Sequence, residues 1–132
     1  MPQDEAYIDL SSPEAKSALA KMVIRLFALW GASPADQLAL LGLTSEHTSV
    51  LRGFETGVPL PNGEDVLGRV GRLFSIHKSL GLLYPQDEDL RYSWVSRANQ
   101  ALDGRTPLAV MVVGGLAGMD EVRRLLDAVC AS

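Results

Sequence analysis

Residues 92–127 read YSWVSRANQALDGRTPLAVMVVGGLAGMDEVRRLLD, and no single helix or strand accommodates that layout. The segment bearing Trp94 runs into Ala101-Leu102-Asp103-Gly104, where glycine supplies the positive φ that closes a helix. Thr106-Pro107 opens another. Its hydroxyl caps a free backbone N–H, and proline's fixed φ suits the first helical position. The apolar run 108–113 is then cut by Gly114-Gly115. A last helix over 119–131 sets Val122, Leu125, Leu126 and Val129 on one side at the i, i+3, i+4, i+7 spacing. The pattern predicts a compact helical unit in three pieces.

Upstream, the helical period continues. The first dozen residues carry no periodicity and read as an arm. Ser12-Pro13 starts a helix that runs to Trp30 with Leu19, Val23, Leu26 and Trp30 on one stripe, and Gly31 ends it. Ser33-Pro34 starts a second, short helix through Leu41. After the turn Gly42-Leu43-Thr44, Thr44 or Ser45 is expected to cap a third helix reaching about Glu55. Two short helices joined by a tight glycine-containing turn have the outline of a helix-turn-helix, an outline shared with many αα-hairpins. In the second of the pair, Val50, Leu51 and Phe54 gather on one side with His47 beside them. Ser45, Thr48, Ser49 and Arg52 lie opposite. Short hydroxyls and a guanidinium suit phosphates and base edges, and they equally suit a plain solvated face. Glu46 and Glu55 flank that face and would repel phosphate. Gly57 to Gly63, with two prolines, is a loop. The longest helix follows, from Glu64 to about Tyr84, with Val66, Val70, Leu73, Phe74 and Leu80 on its apolar face and His77 in the middle of it. Pro85 and the acidic residues after it stop this helix.

Composition narrows the function classes. The 132 residues suffice for a real core, and 47% hydrophobic with 21% charged residues is ordinary for a soluble globular protein. A net charge of −4 argues against a protein that is basic throughout and bound to nucleic acid, while leaving room for a local basic patch. Cys130 is the one cysteine. A lone thiol and two distant histidines make neither an internal disulfide nor a metal site. The acidic opening MPQDEAYIDL is unlike a signal peptide, and the longest apolar run is too short to cross a membrane. A cytoplasmic protein with no membrane association is expected.

Catalytic arrangements are thin. Residues 112–118 contain glycines as Gly-Gly-x-x-Gly rather than Gly-x-Gly-x-x-Gly, and too little chain follows for a second strand of a βαβ unit. A small cofactor-binding enzyme built on this motif is the weakest reading; no cofactor, no metal and no catalytic residue is expected. Asp87, Glu88 and Asp89 read as a solvated linker. His77 suits a hydrogen-bonded core or interface position better than a ligand. Arg123 and Arg124 flank the apolar stripe of the last helix, as a solvated edge or as a pair for a partner's acidic rim.

The series Trp94, Asn99, Leu102, Gly104, Arg105, Pro107, Leu108, then Gly114-Gly115, then Val122, Arg123, Arg124, Leu126, Asp127 and Ala128 resembles the toxin-binding C-terminal domain of Xre/MbcA/ParS-type antitoxins. The resemblance covers about the last third of the chain; the upstream part fits the helix-turn-helix half of the same proteins more loosely. It implies an all-α protein in two parts. Residues 1–84 would hold the arm, the Xre-like helix-turn-helix and a long dimerisation helix, and residues 85–132 the toxin-binding unit. It further implies the antitoxin of a type II toxin–antitoxin pair whose partner is a RES-domain enzyme that degrades NAD⁺. The C-terminal unit would block that enzyme's active site, and the helix-turn-helix half would repress the operon by binding operator DNA as a homodimer. On this reading Ser45, Thr48, Ser49 and Arg52 contact DNA, and Trp94, Asn99, Arg105, Arg123, Arg124 and Ser132 contact toxin, with residues 130–132 entering its cleft. Arg52 is the sole cation between Gly31 and Arg69, fewer than the family often carries. A free-standing DNA-binding regulator without a toxin is the alternative.

Overall fold

Serine before proline sets the first two helices. Ser12 Oγ accepts the Ala15 N–H at 3.1 Å and Ser33 Oγ that of Asp36 at 3.2 Å, each supplying a partner to one of the donors that a helix start leaves free. The computed structural model describes residues 12–44 and 48–131, and the described residues form six helices, two short 3-10 turns and no strand. The helices are α1 (Pro13–Trp30), α2 (Pro34–Leu41), α3 (Ser49–Thr56), α4 (Glu64–Leu83), α5 (Glu88–Ser93) and α6 (Pro107–Ala131). Gly31 and Gly42 close α1 and α2 with φ of 70° and 74°, in the left-handed region that side chains disfavour. The chain is all-α, as the periodicity predicts. The arm before Ser12, and with it Ser45, Glu46, His47 and Ser132, lies outside the described residues.

One apolar core runs through five of the helices, from Ala20, Val23 and Phe27 in α1 to Met119, Val122 and Leu126 in α6, and α5 adds only the partly buried Tyr92 against it. Helix α6 lies along α4 and also covers α2, while α3 packs on α1. Loop 57–62 is held to α1 by Ser17 Oγ, which donates to the Gly57 carbonyl at 2.6 Å, and by the Lys16 ammonium, which donates to Asn62 Oδ1.

Three local expectations change. Helix α3 starts at Ser49, with Thr48 in the αR region and making no capping bond, rather than at a Thr44 or Ser45 cap. Val50, placed with Leu51 and Phe54 by a helical wheel, is 37% exposed while Leu51 and Phe54 are buried. The third concerns the apolar stripe of α4. Val66, Val70, Leu73 and Leu80, with Ile76, are all buried within the chain itself, and only Phe74 of that set stays partly exposed. The breadth of the stripe is taken up by α6 rather than left open.

Candidate functional site: the C-terminal helical unit

Proline 85 ends α4, and Asp87 restarts the chain by accepting the Leu90 N–H at 3.0 Å. Arg91 ties the corner. Its Nε donates to the Tyr84 carbonyl at 3.1 Å and its Nη2 to the Pro85 carbonyl at 3.0 Å. The same guanidinium lies 5.6 Å from the ring centre of Tyr92, within cation–π range. On α4, His77 stacks on Tyr92 with ring centres 6.1 Å apart. Burial, and after it the Arg91 charge, holds the His77 pKa below its ordinary value, because both disfavour the charged imidazolium.

The chain then winds through two 3-10 turns, Trp94–Ser96 and Gln100–Leu102. Val95 is fully buried beneath the first, and Ser96 Oγ donates to the Trp30 carbonyl at 3.3 Å, joining this unit to the end of α1. Trp94 is half-buried against the core. Asn99 organises the second turn. Its Oδ1 accepts the Ala101 N–H at 3.0 Å, its carbonyl accepts Leu102 and Gly104, and its N–H donates to Arg105. Every one of those bonds is local, so Asn99 shapes the loop whatever else it touches. Arg105 donates from Nε to the Leu102 carbonyl at 2.9 Å and reaches Glu121 of α6 at 3.5 Å.

Thr106 Oγ1 accepts the Ala109 N–H at 3.0 Å and so caps α6, and the chain enters this helix where Thr106-Pro107 predicts. Helix α6 is bent into two limbs at Gly115, whose φ of 60° and ψ of −137° are non-helical. The glycine pair therefore interrupts the helix as expected, with the bend falling on its second member. On the second limb Val122 and Leu126 are buried and Leu125 is partly so, whereas Val129 is 43% exposed.

Charge is concentrated where this limb meets α4. Asp120 accepts from Arg72 Nε at 2.9 Å and from Arg123 Nη1 at 3.1 Å. The hydrogen bond from Arg72 is the main reason its carboxyl titrates below the ordinary range; Arg123 adds to the effect and desolvation opposes it. Arg123 is thus partly engaged within the fold, and its Nε is buried with no partner. Arg124 is exposed and carries no ion pair among the described residues.

Two exposed residues of the unit escaped a reading by periodicity. Val113, just before the bend, is 88% exposed, and Leu82 near the end of α4 is 69% exposed. Val113 sits in the continuous apolar run 108–113, which has no period to give it a face, and Leu82 lies off the apolar stripe of α4. Only the packing of the second limb and of α4 reveals that they face outward.

In the other half, Ser49, Arg52 and Glu55 are exposed on α3, as is Thr48 just before it. They form the outward side of a helix whose inward side rests on α1.

A family model described as the antitoxin Xre/MbcA/ParS C-terminal toxin-binding domain matches residues 79–129. The uncharacterized protein y4oB of Sinorhizobium fredii (strain NBRC 101917 / NGR234) is 31% identical over 122 residues, which span 89% of this chain and 92% of that protein. Val113, Leu82 and the Asp120 cluster all fall inside the matched span or touch it.

Proposed function

We propose that this chain is an antitoxin of the Xre/MbcA/ParS kind and that it neutralises a partner toxin by occupying it with the C-terminal helical unit. The match of the toxin-binding domain to residues 79–129 carries this reading. The exposed apolar side chains Leu82, Val113 and Val129 support it, because apolar groups that a fold leaves in water suit a protein interface. Arg105 and Arg124, both exposed, give the same unit a basic rim. Trp94, Asn99, Arg123 and Ser132 complete the set expected to touch the toxin.

The toxin is of the RES type, an enzyme that consumes NAD⁺, and neutralisation works by excluding substrate from its pocket. The antitoxin performs no chemistry of its own and carries no cofactor. The toxin-binding unit comprises residues 85–132; residues 1–84 hold the DNA-binding portion and the helix that supports self-association. The second activity is autorepression of the operon from the cytoplasm. Ser45 and Thr48 ahead of α3, with Ser49 and Arg52 on its outward face, meet operator DNA, and the antitoxin acts there as a homodimer matching two half-sites.

Co-expression with the product of the adjacent gene tests the first reading. The two proteins should co-purify, and cells making the toxin alone should lose NAD⁺ and stop growing. A neighbouring product that leaves cells healthy, or one that fails to co-purify with this chain, refutes it. A chain with no effect on its promoter in the presence and absence of toxin refutes the second.

A further inference from the structure

Among the described residues one side of helix α1 is left uncovered, and that side is divided by charge. Its apolar centre holds Met22, 53% exposed, and Leu29, 44% exposed. Met22, Leu29, the buried Leu26 and Phe74 of α4 form the floor of a groove of about 410 Å³, with Lys21 and Arg25 on its rim. A second depression, of about 330 Å³, adjoins it at the end of α1. Leu29 lines both, and Glu88 and Asp89 of α5 stand at the far edge. The stacked pair His77 and Tyr92 bridges the two, one ring in each. From Lys21 to Leu29, which lines both depressions, α1 rises about 12 Å at 1.5 Å per residue.

All four charged side chains are exposed, and none has an ion pair among the described residues. A single copy cannot bring its own ends together, since both sit on one rigid surface. A second copy turned by 180° about an axis through the apolar centre brings them together twice. Lys21 of each copy then faces Glu88 and Asp89 of the other, Arg25, midway between Met22 and Leu29, stands by the axis within a side chain's reach of the same carboxylates, and the Met22–Leu29 floors close on one another. This is the self-complementarity that a two-fold interface requires, in which one patch serves both partners.

We infer that two copies of this chain pair through the α1 face, antiparallel across Met22 and Leu29, with the Lys21/Arg25 end of each on the Glu88/Asp89 end of the other. The inference rests on the reading that the antitoxin self-associates, and it moves the contact from α4, whose stripe is already buried, to α1. It also leaves the outward face of α3 and the bend of α6 outside the interface.

A charge-swap experiment on the toxin-free full chain tests the pairing by sedimentation at tens of micromolar. Wild type should be a dimer. A chain with Lys21→Glu and Arg25→Glu presents acid at both ends, and one with Glu88→Lys and Asp89→Lys presents base at both. Each alone should dimerise about 100-fold more weakly or worse, because like charges are opposed twice. Mixed in equal amounts, the two should form a heterodimer. Exposed positions of this kind should leave helical circular dichroism unchanged; if a double variant fails to fold, Arg25→Glu and Glu88→Lys singly carry the same mixing test. Variants that both remain dimers overturn the α1 assignment while self-association stands. Variants that are monomers alone and stay monomers when mixed overturn the pairing of these ends. A wild-type monomer overturns self-association and the inference with it.

Discussion

Gly118 and Val110 are in backbone contact across the bend of α6: a Cβ built on Gly118 would run into the Val110 carbonyl oxygen and come within 3.3 Å of the Met111 Cα. Both obstacles are main chain, so no side-chain rotation relieves them. Gly115 makes the bend and Gly118 lets the two limbs close. Gly114, by contrast, has open space where its Cβ would be. Gly118→Ala should therefore cost about 1–3 kcal/mol, the usual range for overpacking. Gly115→Ala should also destabilise, because its positive φ disfavours a side chain. Gly114→Ala should be neutral or stabilise by up to about 1 kcal/mol. Urea unfolding of the three variants checks the order; a Gly118→Ala chain as stable as wild type would show that the limbs do not pack as described.

Arg124 and Arg123 should separate under mutation although they are neighbours. Arg124 is exposed and has no ion pair among the described residues, so Arg124→Glu should leave unfolding within about 0.5 kcal/mol of wild type while weakening toxin affinity about tenfold through reversal of a rim charge. Arg123→Glu places a carboxylate beside Asp120 and Arg72, and should lower stability as well as affinity. Calorimetric titration against toxin, alongside thermal unfolding, distinguishes them. Equal affinity of Arg124→Glu and wild type would remove Arg124 from the interface.

Arg52→Ala should abolish retardation of promoter DNA with no loss of helicity, since its side chain lies on the outer face of α3. Binding by wild type should weaken steeply with salt. Unchanged retardation by the variant would take DNA recognition away from this face.

Stability should fall as pH is lowered from about 7.5 to 5, and His77 is the cause. Its folded pKa lies below 6.5, so below that value the unfolded chain takes up a proton the folded chain refuses. Stability is complete above this window and is lost until folded His77 itself titrates. Asp120 acts in the same sense further down: held below 3.8, it stabilises above that pH and ceases to as pH falls through its folded value. His77→Gln should flatten the upper part of the profile and leave the lower part. An identical slope in both proteins between pH 7.5 and 5 would assign the effect elsewhere.

Helix starts were legible in the sequence because each is a local device. Ser12-Pro13, Ser33-Pro34 and Thr106-Pro107 act within four residues, and so do Gly31, Gly42 and the bend at Gly115. The start of α3 was not, because the sequence offers Thr44 and Ser45 as caps, whereas the helix begins at Ser49 after a Thr48 that makes no capping bond. For the candidate site, the C-terminal series of Trp94, Gly104, Arg105, Pro107 and the arginine pair was readable as a pattern. Its electrostatics were not. Arg72 and Asp120 are 48 residues apart, and nothing in the period of α4 marks Arg72 as facing α6. The exposure of Val113 was hidden as well, since the continuous apolar run 108–113 has no period to give it a face.

The matched toxin-binding span opens at residue 79, inside α4, and α6 rests along that helix, while Ser96 is bonded to the last residue of α1. The matched unit has no floor of its own. If it neutralises a toxin as proposed, clipping anywhere in α1 or α4 should release that toxin as surely as clipping α6, and the lifetime of neutralisation should be set by whichever of these helices a protease reaches first.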